Sequence, residues 1–104
     1  MSKFVLVYHG GGMAETEAAQ AEAMAAWGAW MEGLGSALAD GGNPAGATKT
    51  IAADGSVSDG GGLNPVTGYS IITAGSLDDA VTLAKDNPIF ASGGSIEVVE
   101  AIEM

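Results

Sequence analysis

A chain of 104 residues has room for one domain with a single core, and at 47% hydrophobic residues it lies outside disordered composition despite its 17 glycines. Thirteen acidic residues against three lysines and no arginine give a formal charge of −10, which repels phosphate backbones and anionic membranes and argues against a nucleic-acid or membrane partner. The absence of cysteine excludes disulfides, thiolate metal sites and thiol catalysis together.

Met1-Ser2-Lys3 leads directly into Phe4-Val5-Leu6-Val7-Tyr8, a β-branched and aromatic run that Gly10-Gly11-Gly12 ends, as a first strand should. No secretory leader pattern precedes it and no apolar run reaches the roughly 18 residues of a bilayer span, so a cytoplasmic location is expected. From Glu15 to Leu38 the chain is rich in alanine, and Met24, Trp27, Met31, Leu34 and Leu38 recur at steps of three and four. That period predicts an amphipathic helix, with Thr16 as its cap and Glu15, Glu17 and Glu22 suited to the positive end of the helix dipole. Asp40-Gly41-Gly42-Asn43-Pro44 cannot continue a helix.

A second strand is expected over Thr48 to Ala53, followed by an Asp54-Gly55 turn and a short return arm over Ser56 to Ser58. Asp59 to Pro65 has the glycine content of a surface loop, and Gly68 to Ala74 has the composition of the third main strand. Ser76-Leu77-Asp78-Asp79 has the spacing of a capping box, opening a second helix through Leu77, Ala80, Val81 and Ala84 that ends before Asn87-Pro88. Ser95 to Ile102 completes the order β-α-β-β-α-β in one α+β domain spanning residues 1–104.

Alternation along the strands puts Phe4, Leu6 and Tyr8 on one face and Val5, Val7 and His9 on the other, and both sets are mainly apolar. Two helices cover one side of a four-stranded sheet. The other side then needs a cover, and a second copy of the chain supplies one: a face-to-face homodimer is expected.

His9 is the only histidine and ends the first strand, so it is the candidate general acid or base, with Asp40 and Asp59 as candidate carboxylate partners because both adjoin glycine-rich turns. The structural alternative is a hydrogen-bonding histidine with no role in catalysis. Trp27 and Trp30 lie three apart on the first helix, either as core or as the lining of a ligand pocket between helix and sheet. Gly28 and Gly33 cost that helix about 1 kcal/mol each relative to alanine, which suggests close backbone packing there. His9-Gly10-Gly11-Gly12 matches an esterase oxyanion motif, but no Gly-x-Ser-x-Gly accompanies it. Asp54-x-Ser56-x-Ser58 opens like a calcium loop, yet Asp59 and Pro65 stand where glycine and glutamate belong. No cofactor motif and no metal site is expected.

Phe4 to Tyr8, Trp27-Gly28-Ala29-Trp30, Asp40-Gly41-Gly42-Asn43-Pro44, Gly68-Tyr69 and Ser92-Gly93-Gly94-Ser95-Ile96-Glu97-Val98, in that order, resemble the YCII-related (DGPF-type) proteins. The resemblance implies a ferredoxin-like domain, a four-stranded antiparallel sheet with two helices on one face, assembled as a dimeric α/β barrel. The family's Asp-Gly-Pro-Phe becomes Asp59-Gly60-Gly61-Gly62 here, and Trp27 stands near the point where some relatives carry a histidine on the first helix. Three functional readings are open. One is a homodimer of unknown biochemical function that binds a small organic molecule between helix and sheet through Trp27, Trp30, Asn43 and Tyr69. The second is a cofactor-independent lyase or isomerase using His9 with Asp40 or Asp59. The third is a structural interaction module.

Overall fold

The computed structural model describes residues 1–12 and 15–104. Strand β1 (Ser2–His9) is followed by helix α1 (Glu17–Leu34), strand β2 (Leu38–Asp40), strands β3 (Lys49–Ile51) and β4 (Val57–Asp59), strand β5 (Val66–Ala74), helix α2 (Leu77–Ala84) and strand β6 (Ser95–Ala101). A 3-10 turn at Gly35–Ala37 leads from α1 into β2, and another at Pro88–Ser92 lies between α2 and β6. The protein is therefore α+β. Its main sheet has four strands in the order β2-β5-β1-β6, with every neighbouring pair antiparallel, and β3 and β4 form a separate two-stranded sheet.

Both predicted caps are in place. The Thr16 hydroxyl accepts from Ala19 N at 3.1 Å and the Ser76 hydroxyl from Asp79 N at 3.1 Å, each satisfying an amide that the first helical turn leaves without a carbonyl partner. Asn87 repeats the device ahead of Pro88, its side chain accepting from Ile89 N at 2.8 Å.

The core lies on the face that carries Phe4, Leu6 and Tyr8. There Ile72 and Ala74 of β5, Ala80 and Ala84 of α2, Trp30 of α1 and Ile89 join them in one buried cluster. Phe4, Leu6 and Ile72 are fully inaccessible, and Phe4 stands directly across the ladder from Ile72.

One expectation about the main sheet fails here, and the first helix ends earlier than its spacing predicts. The second strand of the main sheet is Leu38–Asp40, where the apolar spacing predicts the end of the first helix, and not Thr48–Ala53. Lys49–Ile51 instead pairs with Val57–Asp59 across the Asp54-Gly55 turn, so the expected return arm exists but belongs to a hairpin of its own. β-Branched composition reports fitness for a pleated surface, and it carries no information about which sheet receives the strand. The close packing expected at Gly28 and Gly33 is also absent, because a Cβ built at either position meets nothing within 4 Å. Most of α1 is exposed, Met24 at 76% included, and Trp30 is its one buried residue.

Candidate functional site

The strand register divides the predicted residues between the two sides of the sheet. On the open side Val5 lies between Ile71 and Val99, and Val7 lies between Tyr69 and Glu97. Val5, Val7 and Ile71 are half-buried in the single chain, while Val66, Tyr69 and Val99 are 41%, 37% and 45% exposed. Apolar side chains thus occupy the middle of this face, and polar groups stand at the end where β1 finishes.

His9 is at that end. It pairs with Ser95 across the ladder, which places Glu97 diagonally beside it on the same face. Its Nε2 lies 2.5 Å from Glu97 Oε1, and its Nδ1 faces the backbone carbonyls of Asn64 at 3.0 Å and Pro65 at 3.2 Å. Only a protonated ring nitrogen can donate to a carbonyl, so Nδ1 carries a hydrogen and the loop after β4 is fastened to β1 through it. The ring is 6% exposed, whereas the Glu97 side chain is 64% exposed.

The predicted partners of His9 are therefore corrected. The Asp40 carboxylate accepts from Gly42 N at 2.8 Å, closing a turn of its own, and Asp59 pairs with Lys49 at 2.5 Å on the hairpin. Glu97 holds the histidine instead. One ring nitrogen thus faces loop carbonyls and the other a carboxylate, so any proton that His9 moved would pass by way of Glu97 and not of Asp40 or Asp59. The sequence signal for Glu97 is parity: it is the charged residue on the Val99 and Ala101 side of the last strand.

Asn43 and Tyr69, two of the four candidate ligand contacts, lie against each other. The amide of Asn43 donates to Tyr69 Oη at 3.4 Å, and Asn43 O accepts from Tyr69 N at 3.3 Å. Both are exposed on the open side, next to Val7.

Trp27 and Trp30 are on the helix side. Trp30 Nε1 donates to Leu83 O at 3.1 Å, tying α1 to α2, and Trp27 meets both Tyr8 and Trp30 edge to face at ring separations of 5.2 Å and 6.0 Å. Between helix and sheet, Trp27 and Trp30 thus pack on Tyr8 and on each other. The polar groups there also satisfy one another: Asn87 donates to Tyr8 Oη at 3.4 Å, Tyr8 to Ser70 Oγ at 2.7 Å, and Ser70 to Gly41 O at 2.8 Å. Among the described residues no buried side-chain nitrogen or oxygen lacks a partner. Sequence reasoning misses this relay of hydrogen bonds because its members stand 29 to 79 positions apart.

Burial raises the Tyr8 phenol above its ordinary value of 10.0, with the bonds to Ser70 and Asn87 opposing the shift. A proton held more tightly in the folded chain stabilises it at all pH values below the unfolded value, and that contribution is lost as pH rises through the folded one. Urea midpoints are accordingly expected to fall above about pH 10 in the native chain. Tyr8→Phe should flatten that alkaline decline while costing about 1 to 2 kcal/mol near neutrality, where Asn87 loses an acceptor. Parallel slopes for the two proteins would contradict it.

Two surface depressions, of about 390 and 400 Å³, lie at the opposite end of the sheet around Thr73 and are lined by none of the predicted residues. Among the described residues no three metal-binding side chains converge, and no helix is long and apolar enough to cross a membrane. No family model and no curated protein matches the chain.

Proposed function

We propose that the chain is a YCII-related protein of ferredoxin-like topology that works in the cytoplasm as a homodimer of the dimeric α/β barrel type, its two open sheet faces packed together. The strand order β2-β5-β1-β6 with all pairs antiparallel supports the topology. The observation that carries the reading is the open face itself: Val5, Val7, Ile71 and Val99 form a continuous apolar centre on a sheet whose other side already holds the helices.

The ligand of such a dimer is a small organic molecule held between the sheets, where Tyr69 and Asn43 offer a phenol and an amide beside the apolar centre and Glu97 offers a carboxylate. A chain of net charge −10 with a glutamate at the site favours neutral or cationic molecules over carboxylates. Thermal-shift screening of phenols, amines and carboxylates is expected to find stabilisation by members of the first two classes, reduced at least several-fold in Tyr69→Ala. No stabilisation across the set would leave the structural interaction module as the better account.

A further inference from the structure

The β3–β4 hairpin is a second structure without a cover. Every residue from 43 to 67 is exposed, and the hairpin forms its own sheet apart from the four-stranded one. Ile51 and Val57 face each other across its ladder at 72% and 59% exposure, and Leu63 beyond it is fully exposed. A two-stranded hairpin alone is marginally stable in water. The radius of gyration is 15.0 Å, against about 13 Å for a compact domain of this length, and the molecule measures 43 × 42 × 18 Å. The hairpin therefore projects.

We infer that this hairpin is an arm that closes over a second copy of the chain, placing Ile51 and Val57 against it and extending the contact made by the open sheet faces. The inference rests on the dimer proposed above. Three observations select that occupant.

The first is continuity. The root of the arm is fastened on the open side, where Asn64 and Pro65 accept from His9, and the Thr67 hydroxyl donates to Gly10 O at 3.0 Å. The second is area. Three long strands of 8, 9 and 7 residues, spaced about 4.8 Å apart with a rise of about 3.3 Å, present roughly 400 Å² per copy, or about 800 Å² for two, which falls short of the roughly 1,200 to 2,000 Å² of stable interfaces. The arms supply the remainder. The third is charge. Between Pro44 and Leu63 the charged residues are Lys49, Asp54 and Asp59, a net of −1 in a chain of −10, and Lys49 is paired with Asp59. Two acidic copies repel least where they are least charged, and the arm and the open face are such regions.

Because the native chain lacks cysteine, Ala53→Cys at the arm's turn accepts a benzophenone maleimide uniquely. Photolysis of the labelled full-length chain is expected to give an interchain adduct, with the cross-link mapping to the partner's sheet face or rim. In sedimentation, the Ile51→Ser/Val57→Ser double variant should raise the dimer dissociation constant by roughly tenfold or more, with an unchanged circular dichroism spectrum. Cross-links confined to one chain, or an unchanged dissociation constant, would overturn the arm. If Val7→Asp abolishes a native dimer that the double variant leaves intact, the arm fails and the sheet-face dimer stands; a native chain that never associates overturns both.

Discussion

Val7→Asp is expected to leave a folded monomer, raising the dissociation constant of the dimer by roughly a hundredfold or more. Val7 sits at the middle of the open face between Tyr69 and Glu97, half-buried even in the single chain, and contributes nothing to the cluster around Phe4, Leu6 and Ile72. In a monomer the new carboxylate stays hydrated, so the fold loses little. In the dimer it would be stripped of water beside Glu97, whose carboxylate is already engaged by His9, and opposite the same pair of acids on the second copy. Sedimentation velocity read alongside circular dichroism separates loss of association from loss of structure. A variant that associates like the native chain would show that this face is not the interface.

Gly42→Ala is expected to destabilise the chain by about 3 kcal/mol or more, against the usual direction of a glycine-to-alanine change. Gly42 has φ +73°, where an L side chain is strained, and a Cβ there would lie 1.7 Å from Tyr69 O and 2.6 Å from its carbonyl carbon. Those are backbone atoms of β5, and they cannot swing aside. Displacing them pulls apart the Tyr69 N to Asn43 O bond and the Ser70 to Gly41 O bond, the inner end of the buried Tyr8 network. Gly28→Ala supplies the contrast: on an exposed helical turn with nothing within 4 Å, it should stabilise by up to about 1 kcal/mol. Urea unfolding of both variants tests the pair. Equal effects, or a neutral Gly42→Ala, would contradict the close approach of the two backbones.

Features that neighbouring residues decide between themselves are legible in the sequence. Thr16 and Ser76 cap because each hydroxyl reaches an amide three residues on, and Asp54-Gly55 turns because the turn is built from adjacent residues. Leu38–Asp40 is hidden because its leucine continues the spacing of α1, and only pairing with Ile71 and Ile72 across the sheet makes it a strand. The same limit applies at the site. Asp40 and Asp59 are attractive partners for His9 by their turns, yet Glu97, 88 positions away, reaches it because β1 and β6 run antiparallel in register. Trp27 and Trp30 are correctly paired on one helix, but the side of the sheet they cover is set by packing on Tyr8 and Leu83. Two-sided apolar strands are visible from alternation alone, and the open face is their consequence.

That face is also open to the most direct test. Sedimentation equilibrium of the native chain at micromolar concentration is expected to give twice the 10.2 kDa chain mass. A single 10.2 kDa species persisting to about 100 μM, a concentration at which even a weak interface with a dissociation constant in the micromolar range would be populated, would contradict the dimer and the site built upon it.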